Sequence, residues 1–241
     1  MMIFLYRNGA RVQVQLVATC RPWALPLAGA GVRRYLWMMR RTAIPPTTIP
    51  ASPEAPGRGY LTGQLLIAMP QMRDIRFHKS VIYVCAHTAD GAMGLVINKT
   101  LDSLTVPELM EHLSVDTESE LKPTKVHFGG PVETARGFVL HSCDYVEEGT
   151  LIVGHDLALT ATLDILRAIG RGTGPRQTML ALGYAGWGPG QLDIEIQANS
   201  WLHAPADEAI VFDHINDTKW ERAIGRLGID ARMLSTEAGH A

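Results

Sequence analysis

The sequence predicts an α+β domain built on a mixed sheet. Two β-branched, apolar runs flank Asp90 and Gly91, other segments repeat apolar residues at the spacing of a helix face, and the two kinds of element follow one another irregularly rather than in doubly wound alternation. A chain of 241 residues that is 46% hydrophobic and 19% charged carries enough apolar material for one core.

Residues 80–87 (SVIYVCAH) and the run AMGLVIN after the DG dipeptide form a predicted β-hairpin. In residues 104–113 apolar side chains fall at 106, 109, 110 and 113, a helical spacing, and Pro107 suits a first turn. KVHFGG (125–130) and GFVLHS (137–142) are expected to form a second strand pair joined by GGPVETAR, and TLIVG (150–154) a further strand. Thr160 is the expected cap of a helix through TATLDILRAIG, with Leu163, Leu166 and Ile169 on one face and Gly170 ending it. The strand QTMLALGY (177–184) then runs into a glycine-rich loop, GYAGWGPG (183–190). In residues 189–199, Leu192, Ile194 and Ile196 alternate as in a strand, whereas Pro189 suits a first helical turn; the segment reads as helix. EAIVFD (208–213) reads as a short strand and residues 218–228 as a last helix.

Residues 1–58 stand apart as an expected disordered, basic, proline-rich tail, so that one folded domain spans residues 59–241. The first 53 residues carry seven arginines and no acid or lysine, which leaves −9 of the net charge of −2 to the remainder. RRTAIPPTTIPASPEAPGRG holds five prolines and no apolar periodicity. The tail superficially matches an organelle transit peptide, but Arg7 and Asn8 cut short a secretory signal and Thr19 spoils a lipoprotein signal before Cys20. The reading adopted is a start assigned too far upstream, with Met38 or Met39 as the initiator. No apolar run approaches the roughly 20 residues of a membrane span. Three cysteines, Cys20, Cys85 and Cys143, with no CxxC, supply neither a disulfide framework nor a zinc knuckle and point to a reducing cytoplasm.

Several motifs are candidates for chemistry. GYAGWGPG has the layout of a phosphate cradle, yet a dinucleotide fingerprint starting at Gly186 would need glycine where Gln191 stands, and no GK[ST] follows. The alternative is a sharp turn with Trp187 as a lid over the sheet edge. Gln191 and Glu195 lie one helical turn apart, so Glu195 is either a general base or polar anchor, or a capping residue. HFGGPVETARGF brings His127, Gly129, Gly130 and Arg136 close in sequence to His141; the guanidinium could grip an anion beside the glycine pair, or GGPV is an ordinary turn. Asn98 and Lys99 end a strand, where ligand contacts often lie and where turn residues also lie. His141 and Cys143 point the same way along a strand without facing each other, which suits a structural cysteine. HExxH and GxSxG are absent, so no metal, cofactor or catalytic set is expected.

GQLLIAMPQMRD, HKSVIYVCAH, GAMGLVINK, HFGGPVETARGFVLHS, LGYAGWGPGQLDIEIQANSWL and the closing AGHA occur in this order from Gly63 to Ala241, and together they resemble the YqgE/AlgH family of small bacterial proteins. The resemblance implies an α+β fold in which a mixed, bifurcated β-sheet curls into a pseudo-barrel with flanking helices. It also implies a transcriptional-regulator role assigned on genetic grounds, with no catalytic residues or cofactor to carry over. One departure is Asp193, where many members carry glutamate.

The expected protein is therefore cytoplasmic and non-enzymatic, acting through an unknown protein partner or a small anionic ligand, with no membrane contact. An acidic body without a helix-turn-helix argues against direct DNA binding. The rival is a nucleotide- or anion-binding protein or enzyme that uses the GGP and GYAGWGPG loops, and it requires those loops to meet around one concave surface.

Overall fold

The computed structural model describes residues 7–8, 11–12, 60–118, 121–154 and 156–234. The expectations for the tail lie outside the described residues, apart from a two-residue ladder between Arg7–Asn8 and Arg11–Val12. Ten strands follow: β1 Gln64–Ala68, β2 Val81–Thr88, β3 Gly91–Val96, β4 Thr100–Thr105, β5 Lys125–Phe128, β6 Val132–Ser142, β7 Leu151–Val153, β8 Leu157–Thr160, β9 Thr178–Trp187 and β10 Trp201–Pro205. Among the described residues five helices accompany them: α1 Val106–His112, α2 Leu163–Gly170, α3 Gln191–Gln197, α4 Glu208–Val211 and α5 Lys219–Gly225. None is long and apolar enough to cross a membrane, among the described residues.

The sheet runs β10-β1-β2-β3-β9-β6-β8-β7, with β5 also paired to β9 and β4 paired to β5. Only β5 lies parallel to its neighbour β9, so the sheet is mixed; it curls into a half-barrel with the helices packed outside. The fork lies in β9. One edge of β9 pairs with β6 from Thr178 to Tyr184, while the other pairs first with β5 at Ala181 and Leu182 and then with β3 at residues 185–187.

Backbone contact makes the fork possible. Gly183 has φ +72°, and the register of β9 against β6 shifts between Leu182 and Tyr184. Gly129 donates its N–H to the Leu182 carbonyl (2.9 Å) and accepts from the Val96 N–H (2.8 Å), so one glycine bonds both branches. A Cβ on Gly130 would lie 2.1 Å from the Tyr184 carbonyl carbon, and one on Gly129 2.2 Å from the Gly183 oxygen. No side chain fits between these chains.

The central strands are buried on both faces, which is why their apolar runs are continuous. Leu65, Ile67, Tyr83, Leu95, Phe138 and Leu140 point into the main core with Trp220 and Ile224 of α5. Leu66, Ile82 and Val84 face a second cluster with Phe77, Trp187, Leu192 of α3 and Trp201. Val126, Val139 and Leu180 form a third with Leu109 and Met110 of α1 and Ile165 of α2.

The predicted hairpin is present as β2 and β3, with Ala89 and Asp90 as its turn between paired Thr88 and Gly91. Helix α1 starts on a capping box, Thr105 with Glu108, and Pro107 lies in its first turn as expected. Four readings change. Strands β5 and β6 do not pair with each other; each pairs with β9 instead. Thr160 ends strand β8, and Thr162 stands at the N-terminus of α2. GYAGW is strand rather than loop, because Tyr184 pairs with β6 and Ala185–Trp187 pair with β3. EAIVFD contains helix α4, since the Asp207 carboxylate accepts from the Ala209 N–H and buries Ile210 and Val211 in the main core, overriding their β-branched preference.

Gly130→Ala is expected to cost roughly 2–4 kcal/mol in urea unfolding or to prevent folding, because backbone cannot yield as a flexible side-chain tip can. Gly225→Ala, with nothing within 4 Å of its Cβ, serves as the control and should leave stability unchanged or raise it by up to about 1 kcal/mol.

Candidate functional site

Most of the candidate residues read from sequence are engaged in holding the fold. Asn98 accepts from the Val81 N–H (2.8 Å) and donates to the Lys79 carbonyl (2.8 Å), and Lys99 donates to the Arg76 carbonyl (2.8 Å). Arg136 pairs with Glu133 (3.2 Å) and lies over the Phe138 ring at 5.1 Å. His141 is fully buried: Nδ1 donates to the Ser142 carbonyl (3.0 Å) and Nε2 bonds the Thr160 hydroxyl (2.9 Å), while burial lowers its pKa. The GGP and GYAGW segments do meet, but backbone to backbone with no space between them.

Trp187, Gln191 and Glu195 converge on one another. Glu195 Oε2 accepts from both indoles, Trp187 (2.9 Å) and Trp201 (2.8 Å), and Oε1 accepts from the Gln191 amide (2.8 Å). The Gln191 carbonyl oxygen takes the Gly188 N–H (3.1 Å), so the amide that could have cradled an anion is already used. The two indoles pack edge to face at 6.0 Å. Glu195 is thus the polar anchor that lets two tryptophans be buried. Gly186, beside them, has no positive φ and contacts the Tyr184 ring.

A different place has the character of a binding site. A groove of about 480 Å³ wraps around the starting ends of the parallel strands β5 and β9. Val106, Leu121 and Ile169 supply apolar lining, the segment from α4 to α5 contributes Phe212, Asp213, His214 and Asn216, and Lys122, Lys125 and Arg176 stand exposed at its rim. The volume lies in the range of small-molecule sites.

The interior of the groove holds polar atoms the protein leaves unbonded. His127 is 9% exposed, and neither ring nitrogen makes a hydrogen bond; it lies beside the Asn216 amide and the Leu180 carbonyl without reaching bonding geometry to either. Asn216 Oδ1 and Gln177 Oε1 are likewise buried without a partner. Unpartnered buried polar atoms are few in folded proteins, so three residues with such atoms around one groove call for an explanation. Burial, with the Lys219 charge nearby, pushes the His127 pKa down to about 4, so its ring is neutral at pH 7. Lys219 is fully buried, donates to the Ile97 (2.9 Å) and Val211 (3.3 Å) carbonyls, and is held down at about 8 by burial.

The loop carrying Arg176 and Gln177 is fixed in place. Asp144 accepts the Arg176 N–H (3.0 Å) and the Ser142 hydroxyl accepts the Gln177 N–H (3.1 Å). Of the rim charges, Lys125 is paired directly with the exposed Asp102 (2.7 Å), while Arg176 is countered only by Glu208 at 3.6 Å.

A sequence profile described as AlgH-like matches residues 65–232, which covers the groove and all of the sheet but its first residue, Gln64. The chain belongs to the AlgH-like family. Among its relatives, a UPF0301 protein of Rhodospirillum rubrum is 56% identical over 183 residues, 76% of this chain and 95% of that one. Another, of Afipia carboxidovorans, is 53% identical over 201 residues, covering 80% and 96%. The AlgH protein of Pseudomonas aeruginosa, known from a solution structure, superposes with a TM-score of 0.63 at 41% identity, covering 78% of this chain and all of that one. A Corynebacterium diphtheriae protein at 21% identity and TM-score 0.61, covering 73% and 92%, shares the fold. The forked sheet of this AlgH-like chain is therefore what the resemblance implied.

Sequence reasoning placed His127 beside the glycine pair but passed over the rest of the AlgH-like groove. Residues 121–124 and 174–176 carry no motif, and nothing local announces that residues 125–128 and 178–182 lie side by side.

Two measurements probe these arrangements. Trp187→Ala is expected to lose about 3–5 kcal/mol in urea unfolding, since it empties a large aromatic site and removes a donor from Glu195. The depressed His127 means that the unfolded chain, titrating near 6.5, takes up a proton the folded chain refuses until about pH 4. Its contribution is therefore complete above pH 6.5 and is lost as pH falls toward 4, by about 3 kcal/mol. His127→Phe should flatten the stability profile in that window, and an unchanged slope would show that the ring is not buried neutral.

Proposed function

We propose that this AlgH-like protein is a cytoplasmic, non-catalytic regulatory protein that binds a small anionic ligand in the groove and influences gene expression through protein partners rather than by contact with DNA. The observation that carries the reading is the set of buried, unbonded polar atoms beneath a cationic rim. A folded protein leaves such atoms without partners at a cost of about 1–3 kcal/mol each, which an anionic ligand that also carries a hydrogen-bond donor can recover on binding. The rim charges attract an anion, while the −9 of the body opposes an extended phosphate backbone. The glycine segments are the poorer candidate, because the Gly129 and Gly188 amides are already bonded within the fold.

The test is a thermal melt of the full chain in millimolar inorganic phosphate against chloride of equal ionic strength. Ligand at about ten times Kd stabilises by about 1.4 kcal/mol, or roughly 3–6 °C in a chain of this size. Lys122→Gln combined with Arg176→Gln should abolish the shift. A shift that survives the double substitution, or submicromolar binding of duplex DNA at moderate salt, would overturn the reading.

A further inference from the structure

The groove is not uniform, and its division into two chemistries says what shape of ligand fits it. The cations stand only at the rim. Deeper in, His127 is neutral at pH 7 and Lys219 spends its hydrogen bonds on the Ile97 and Val211 carbonyls. The remaining deep groups, Gln177 and Asn216, present buried oxygens that lack a donor. Asp213 also lines the groove, its carboxylate held by the Ile215 N–H (2.8 Å) and by Arg222.

A bare oxyanion cannot satisfy this interior. It only accepts hydrogen bonds, and it would lie against two amide oxygens and a carboxylate. A hydroxyl both donates and accepts, so it meets the amide oxygens in either orientation of the amide, and either tautomer of His127. The rim, by contrast, suits a phosphate, for which the planar guanidinium of Arg176 offers paired donors. Inorganic phosphate alone would leave most of the roughly 480 Å³ unused.

We propose that the groove binds a hydroxylated organic monophosphate, a sugar phosphate or the ribose phosphate of a nucleotide, with its hydroxyls against Gln177, Asn216 and His127 and its phosphate at Lys122 and Arg176. The proposal rests on the anion-binding reading of the groove and narrows it to one ligand class.

Calorimetric titration of the full chain at pH 7.5 with ribose 5-phosphate, AMP, ribose and inorganic phosphate tests it. Ribose 5-phosphate or AMP is expected to bind at least tenfold more tightly than either ribose or inorganic phosphate. The better of the two tells a free sugar phosphate from a nucleotide whose base lies on the apolar lining. Gln177→Leu should reduce the preference for the organic phosphate while leaving inorganic phosphate binding as it was, and Arg176→Gln should weaken both. Inorganic phosphate binding as tightly as the organic phosphates would overturn this inference and leave the anion-binding reading standing. Failure of all four to bind would overturn both. Tight binding that neither substitution affects would place the site elsewhere and overturn the assignment; the comparison of probes on the unaltered chain decides the ligand class even where a variant fails to fold.

Discussion

Strand β9 changes partners along one edge at Gly183, and the rest of the structure follows from the close approach that permits it. Gly129 and Gly130 lie so near the backbone of residues 183–185 that a Cβ would come within about 2 Å of it. Because Gly129 bonds Leu182 on one side and Val96 on the other, the β1–β3 branch and the β4–β5 branch are tied to β9 at one point. The fork splits the apolar interior into separate clusters on the two faces of the sheet, each closed by different helices.

The same fork creates the groove. A parallel neighbour covers only two residues of β9, Ala181 and Leu182, so the starting ends of β5 and β9 protrude beyond their pairing. Loops and the α4–α5 segment surround those ends without filling the space between them. The α5 side is stiffened by Lys219, whose ammonium reaches the Ile97 and Val211 carbonyls from inside the core. A buried lysine is costly unless its donors are used, and here two of them bind together the end of β3 and the end of α4.

Electrostatics in this chain is local. The body is acidic as a whole, yet Lys122, Lys125 and Arg176 come together at one rim with only exposed or distant counter-charges. Away from the groove a single carboxylate, Glu195, serves two indoles and an amide and is spent on stability. Three of the residues with buried, unpartnered polar atoms, His127, Gln177 and Asn216, line the groove, whereas Gln71, Ser80 and Glu221 carry such atoms elsewhere.

Short-range features were legible in the sequence. The β2–β3 hairpin and helix α1 with Pro107 in its first turn depend on residues a few positions apart, so their side-chain chemistry is local. The ordered set of motifs also carried the family, and with it the forked sheet. The tertiary structure alone decided that GYAGW is strand, that EAIVFD is helix and that KVHF pairs with β9 rather than with GFVLHS. Those outcomes depend on two-sided burial and on backbone contact between Gly129 and Gly183, which no local periodicity records. The groove is the extreme case: Lys122, His127, Gln177 and Asn216 come from segments far apart in the chain, and each alone has the composition of an ordinary loop or strand end. Their shared chemistry arises only when the fork brings two strand ends together at one groove.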